Sequence, residues 1–195
     1  MARSSGESKT PTIVFQYNSP VILSFALISF IVFVINTITN GRSNSQFFTI
    51  YKSSFTDLMM YVRMFTYIFG HASISHYISN FTIILLAGPM IEEKYGSRQL
   101  VEMIAITAVT TGLINILFFD TGLIGASGIA FMLILLSSFA NYQKGKIPLT
   151  LICVAIIYLG GEIYDGLFSS DNISQLAHII GGICGCIFGW FVTKN

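Results

Sequence analysis

The stretch "IGASGIAF", residues 124–131, sets Ser127 among small residues in an otherwise greasy chain. A serine hydroxyl is a poor nucleophile until a base takes its proton. The chain holds three histidines, His71, His76 and His178. His178 stands alone in "LAHIIGGICGCIFGW", whereas His71 and His76 share "HASISHYISNF" with Asn80. His76 and Asn80 are four apart, so on a helix they share one face. An imidazole N–H and an amide N–H on one face can donate hydrogen bonds to an oxyanion. Nucleophile, base and paired donors are the parts of acyl-transfer chemistry. The same residues also have plainer uses. Small residues let membrane helices touch, and polar side chains bond one helix to another. The elements that carry them decide between the two.

Composition sets the solvent. The 195 residues are 53% hydrophobic and 10% charged. A soluble domain carries about a quarter charged residues. A polytopic membrane protein with one helical domain fits these values. A formal net charge of +1 offers no electrostatic footprint for nucleic acid. The first ten residues are polar, and no cleavable signal peptide is expected, because the apolar run from Pro20 is long enough to remain as a span. Cys153, Cys184 and Cys186 all lie in apolar runs and read as inert buried thiols. Cys184 and Cys186 are two apart on a helix, point in different directions and should not pair. No set of metal ligands at suitable spacing accompanies them.

Six apolar runs appear, at residues 20–38, 76–91, 100–119, 127–141, 147–159 and 176–192. A span takes about 17 to 25 residues, and three of the six are shorter. Helices are expected, since an open strand edge cannot be satisfied in lipid. Arg3, Lys9, Lys94, Arg98, Lys144, Lys146 and Lys194 fall on one side, against Arg42, Lys52 and Arg63 on the other. This imbalance puts both termini in the cytoplasm. The expected fold is therefore an all-α membrane protein, a six-transmembrane-helix bundle. Residues 1–18 form a polar cytoplasmic segment, residues 19–193 a single membrane domain, and 194–195 a tail. The outer loop, about residues 40–75, is too long to be structureless and should pack on the bundle. In "EEKYGSRQL", Gly96 suits a left-handed cap on one helix and Ser97 the N-cap of the next.

The Ser127 helix must reach the inner surface near Asn141 to Lys144, where polar residues resume. About 14 residues cover only about 21 Å of a core about 30 Å thick. Ser127 should then begin its helix roughly 10 Å below the outer surface. A helix that starts inside the membrane needs a wet cavity or a protein cover. Its first N–H groups lack backbone partners and can hold an anion. His178, near the outer start of the last span, would lie at a similar depth. Gly181, Gly185 and Gly189 recur every four residues on its helix. Such a stripe lets two backbones approach. Ala126, Gly128 and Ala130 give the Ser127 helix a matching small surface. His178 is three residues before Gly181, on the same face.

With those motifs in hand, "HASISHYISN", "GASG" and "AHIIGGICG" resemble the rhomboid family of intramembrane serine proteases, in its compact six-helix bacterial form. The resemblance covers residues 62–190. It implies that Ser127, in Gly125-x-Ser-Gly128, is the nucleophile and His178 the general base of a Ser–His dyad. It implies an oxyanion hole of His76, Asn80 and the Ser127 backbone N–H. His71 matches the first histidine of the family's "HxxxxHxxxN" pattern. Arg63 matches the arginine of its first-loop Trp-Arg pair. Glu92 and Gly96 match a glutamate and glycine at the inner end of the second span. Two positions depart from the pattern. Val62 replaces the tryptophan beside Arg63, and Phe131 stands where a tyrosine often faces the base. Phe131 is four residues past Ser127, so its ring can still stack on the imidazole.

The activity implied is endopeptidase cleavage of single-span transmembrane proteins that enter from the lipid bilayer. No metal or organic cofactor is implied. A bacterial plasma membrane is the implied location, and the oligomeric state stays open. Two other classes compete. A non-catalytic rhomboid-like protein binding membrane clients would usually lack the dyad. A small transporter or channel would favour paired repeats or intramembrane charges. A soluble-type hydrolase does not fit: its G-x-S-x-G elbow would need glycine where Ile129 stands. Without the resemblance, Arg63 reads as an interfacial anchor, and Glu92, Glu93 and Lys94 read as a solvated boundary.

Overall fold

The structure is a computed structural model that describes residues 16–139, 146–168 and 172–192. Among them lie seven α-helices and no strand. They are α1 (Pro20–Ile38), α2 (Leu58–Thr66), α3 (Ile74–Tyr95), α4 (Ser97–Phe118), α5 (Ser127–Ser137), α6 (Leu149–Phe168) and α7 (Asn172–Val192). Three of these, α1, α3 and α4, are long and apolar enough to cross a membrane. Large side chains such as Leu27, Leu86, Ile106 and Leu117 stand exposed along them. In water that would be a liability; against lipid it is the expected outer surface. The segments 1–15 and 193–195, with the basic Lys144, lie outside the described residues.

Helix α5 is central and short. Leu133, Leu135, Leu136 and Met132 are all fully buried, so it has no lipid-facing stripe of its own. Eleven residues make it about 16 Å long. It ends at Ser137 rather than running to 141, because tighter turns close it: Ser138 N–H donates to the Leu135 carbonyl and Phe139 N–H to that of Leu136. Lys94 Nζ then caps the end, donating to the Phe139 carbonyl at 2.8 Å.

The most extensive helix contact among the described residues is between α5 and α7. Glycines set its distance. A Cβ on Gly181 would fall on the Gly128 carbonyl, with the Gly128 Cα 3.0 Å away. A Cβ on Gly185 would fall on the Met132 carbonyl, and one on Gly189 on the Phe139 ring. On the facing helix, a Cβ on Gly128 would come 3.1 Å from the Ala177 carbonyl. The four-residue stripe therefore faces α5 along its length, as small residues at a close crossing should.

The end of the bundle where α1 begins and α3 finishes is tied by Glu92. Pro20 opens α1, where a missing N–H is tolerated. The next two N–H groups, Val21 and Ile22, donate to the Glu92 carboxylate at 3.0 and 3.1 Å. Ser97 Oγ donates to it as well, at 2.6 Å. One anion thus caps α1 from α3 and gathers the start of α4. This corrects two expectations. Glu92 is buried, not a solvated boundary. Ser97 does not cap α4; Gly96 holds that place, and the Ser97 hydroxyl is already committed to Glu92. Gly96 has φ +84°, but its ψ of 153° is extended rather than helical. The cysteines also divide. Cys184 is buried and Cys186 half-buried, but Cys153 is exposed on α6, since that apolar helix turns part of itself outward. All three are free thiols.

The loop between α1 and α3 is structured. It contains a π-helical turn (Asn44–Phe48), α2 and a 3-10 turn (Tyr67–Phe69). Arg63 is buried here, with Nε donating to the Gln46 carbonyl at 2.9 Å and Nη1 to Asp57 at 3.3 Å. Its guanidinium lies 4.5 Å over the Tyr51 ring. Asp57 also caps α2 by accepting from Met59 N–H. Thr66 Oγ1 donates to the Phe47 carbonyl. Val62, beside Arg63, is exposed.

Two outcomes test this architecture. Gly181→Ala places a methyl group on a backbone carbonyl that cannot move aside, so it should lower the melting temperature in detergent and weaken any activity of the site. Wild-type melting would show that the α5–α7 contact does not depend on close approach at this position. Glu92→Ala removes acceptors from three donors and should cost about 2 to 4 kcal/mol, with Glu92→Gln roughly half as damaging. If thermal unfolding of Glu92→Ala matches wild type, apolar packing alone holds α1.

Candidate active site

Ser127 is the first residue of α5 and is half-buried. The chain reaches it through an irregular segment fixed at three points. Asn115 Nδ2 donates to the Thr121 carbonyl at 3.0 Å. Ile50 and Leu123 exchange both backbone hydrogen bonds, at 2.9 and 2.8 Å. Gly125 N–H donates to the Tyr67 carbonyl at 3.0 Å. The α1–α3 loop therefore holds the approach to Ser127 from two sides. Gly125 has φ +121°, a conformation that only glycine takes readily. Ala126 precedes the helix without a side-chain cap. The first-turn N–H groups at Ser127 thus have no capping oxygen from the chain ahead of them.

His178 sits on α7 beside Ala177 and three residues before Gly181. Both Ala177 and Gly181 contact Gly128, the neighbour of Ser127. Ser127 and His178 therefore share one level of the close helix crossing. Phe131, one turn along α5, stacks on the His178 ring at 4.3 Å between centroids and 2° between planes. A flat stack of this kind holds the imidazole in one plane.

His76 and Asn80 approach from α3. Ser73 starts that helix by accepting from His76 N–H at 3.1 Å, a cap that the apolar run at residues 76–91 did not reveal. A Cβ on Gly125 would lie 2.7 Å from His76 Nε2 and 3.6 Å from Asn80 Nδ2. Both side chains thus meet the backbone just ahead of Ser127. A side chain at position 125 would displace them.

His71 lies behind Asn80 and is fully buried. Its Nδ1 is 3.2 Å from the Phe69 carbonyl and its Nε2 is 3.1 Å from Asn80 Nδ2. Its backbone carbonyl accepts from Asn44 Nδ2 at 2.9 Å. The ring packs edge-on to His76 at 5.0 Å and to Tyr77 at 5.4 Å. Burial, with His76 beside it, pushes the imidazole down to about 4. Tyr77 fixes the next layer, with its hydroxyl donating to the Ala26 carbonyl of α1 at 3.0 Å.

The structure thus gathers His71, His76, Asn80, Gly125, Ser127, Gly128, Phe131, His178 and Gly181 at one end of α5. Gly185 continues the α5–α7 contact one turn further along α7, against Met132. Arg63 lies apart, in the α1–α3 loop, and Glu92 at the opposite end of α3. Sequence reasoning missed Asn44, whose side-chain amide holds the His71 carbonyl, and Tyr67, Ile50 and Leu123, which act through backbone groups; none leaves a local pattern. Among the described residues no group of three or more His, Cys, Asp or Glu side chains could hold a metal ion.

A short buried helix whose start collects a serine, an imidazole and amide donors, inside a bundle with lipid-type surfaces, defines an integral membrane protein of rhomboid type. The Rhomboid domain model matches residues 58–195, and the chain belongs to that family. It is 31% identical over 145 residues to Rhomboid-related protein 1 of Caenorhabditis elegans, covering 68% of this chain and 40% of that one. It is 27% identical to the chloroplastic Rhomboid-like protein 11 of Arabidopsis thaliana, over 65% of this chain and 50% of that protein. It is 23% identical to the rhomboid protease GlpG of Yersinia pestis, over 90% of this chain and 64% of the relative. The chain spans about half the length of these curated relatives, 40% to 64%.

The buried His71 gives a pH expectation. Its folded pKa of about 4 lies below the ordinary 6.5, so the unfolded chain takes the proton first as pH falls. The stability tied to neutral His71 is complete above about pH 6.5 and is lost between about 6.5 and 4, by at most about 3 kcal/mol. Melting of wild type and His71→Asn at stepped pH in detergent should converge over that window. Parallel curves would show that His71 is not held neutral.

Proposed function

We propose that this chain is an intramembrane serine endopeptidase that uses a Ser127–His178 dyad on the transmembrane helices of other proteins. The observation that carries the reading is the Phe131–His178 stack beside Ser127 at a crossing set by Gly128 and Gly181. An imidazole held flat at the level of a helix-starting serine is poised as a base. The GlpG relatives named as rhomboid proteases support the same reading.

In this mechanism Ser127 Oγ attacks the scissile carbonyl while His178 accepts its proton. The oxyanion is held by the Ser127 backbone N–H, Asn80 and His76, supported by the free end of α5. His178 returns the proton to the leaving amine, and the peptide C–N bond breaks. Water, entering from the outer face, then attacks the acyl-enzyme, and His178 takes its proton in turn. His178 then passes that proton to Ser127 Oγ as the ester C–O bond breaks and the new carboxylate leaves. Gly125 keeps the approach open for the donors. Phe131 limits the rotation of His178. No metal or organic cofactor takes part.

The membrane setting belongs to the same proposal. The bundle has six spans, with both termini in the cytoplasm and residues 19–193 as one domain. Helix α5 begins inside the membrane, reached by water from the outer side. Substrates are single-span proteins whose helices unwind near the outer leaflet, with small residues at the cut. The membrane is a bacterial plasma membrane.

The purified protein tests this directly. A fluorophosphonate probe should label the wild type covalently. Ser127→Ala should lose all labelling, and His178→Ala should lose it by about 10³-fold or more, while both melt like wild type. A folded wild-type protein that neither labels nor cleaves any single-span helix would instead favour a client-binding role.

A further inference from the structure

His71 is the one histidine that the proposed mechanism does not use. It is also held on several sides. It has no solvent exposure, a backbone carbonyl held by Asn44, and three neighbouring rings in His76, Tyr77 and Phe81. Its two ring nitrogens face different partners, and the partners determine its tautomer.

The Phe69 carbonyl can only accept a hydrogen bond, so Nδ1 must carry the proton that it receives. In a neutral imidazole Nε2 is then a bare lone pair. A lone pair cannot face an amide oxygen. The atom of Asn80 that meets it at 3.1 Å must therefore be the nitrogen, donating one of its two N–H bonds. A planar amide with one N–H anchored has its second N–H fixed in direction. The Nδ2 atom lies against Gly125, 3.6 Å from where a Cβ would stand. An Asn80 turned over would present an acceptor oxygen there and repel an oxyanion.

We infer that His71 is a positioning residue for catalysis, which accepts from Asn80 through Nε2 and so aims the second Asn80 N–H at the reacting oxygen. The inference rests on the protease reading, since without an oxyanion there is nothing to aim at. His71 itself touches no substrate. It acts only through Asn80.

Two substitutions separate this role from a structural one. His71→Asn keeps an amide N–H where Nδ1 was and can still donate to Phe69, but has nothing at the place of Nε2. His71→Gln can put a carbonyl oxygen at the place of Nε2 but loses the tie to Phe69. Each is purified in detergent, checked by melting, and assayed for kcat and KM on a synthetic single-span reporter helix with small residues near its outer end. If His71 aims Asn80, His71→Asn should lower kcat about 10- to 100-fold with KM little changed. His71→Gln should stay within about fivefold of wild type, because the acceptor is restored. In an Asn80→Ala background, His71→Asn should cost no more than about twofold further, since the group it acts through is gone.

The reverse order, with His71→Asn active and His71→Gln impaired, would overturn the inference and leave His71 as a tie to Phe69. Additive losses in the Asn80→Ala background would overturn it too. Should His71→Asn fail to fold, a folded His71→Gln as slow as Asn80→Ala would suffice to reject it. The protease reading is judged separately. Asn80→Ala alone should lower kcat about 10²- to 10³-fold. An intact kcat there would remove Asn80 from the oxyanion hole, and the role of His71 with it. A wild type that does not cleave the reporter and takes no fluorophosphonate would overturn both.

Discussion

The meeting of two backbones at Gly128 and Gly181 governs the rest of the molecule. Lipid tails are as apolar as leucine, so burying apolar surface gives helices little reason to associate. Close packing and polar contacts must supply it. A crossing with no side chain between the helices gains dispersion contacts along its length. It also fixes the level of every residue on α7 relative to α5. Ser127 and His178 are neighbours of the contact residues, so their separation follows from backbone geometry. Phe131 uses the same crossing one turn further on, where the helices leave room for an aromatic ring.

Polar groups elsewhere are arranged for the same solvent. A buried group without a partner costs more in hydrocarbon than at a wet surface. Glu92 meets three donors, Arg63 meets two acceptors and an aromatic face, and His71 meets a partner at each nitrogen. In each case at least one partner belongs to a different element of the structure. Glu92 joins the ends of three helices. Arg63 folds the α1–α3 loop on itself. His71 joins the loop to α3. The polar residues thus act as joints between elements whose apolar surfaces specify little about orientation.

Much of this was legible in the sequence because it is local. The first run, at residues 20–38, coincides with α1, since Pro20 opens it and polar residues follow it. The start of α5 at Ser127 could be read from the small residues that precede it. The glycine stripe on α7 is a strict four-residue repeat, and Phe131 lies one turn from Ser127. What stayed hidden is non-local. The tie between His71 and Asn80 spans nine residues and follows no helical spacing. The Ile50–Leu123 bridge uses only backbone atoms. Glu92 looked like a surface charge because nothing near it in sequence shows that the start of α1 arrives there. Ser97 has a good capping residue type, but Glu92 claims its hydroxyl. The end of α5 was set too late because its apolar composition continues past the turns that close it.

The shortness of α5 bears on how the chain is made. At about 16 Å it cannot cross a hydrocarbon core of about 30 Å, and its buried faces have little to satisfy them before α7 exists. Ser127 and Gly181 are 54 residues apart. At about 5 to 20 residues per second, a ribosome needs about 3 to 11 s to bring the second after the first. For that interval the nascent α5 has α3 and α4 as neighbours but lacks its main partner. Helix α7, emerging well after α5, therefore completes the packing around it. A chain released before α7 would leave the insertion machinery with an exposed, half-length helix, the kind of product that membrane quality control must remove.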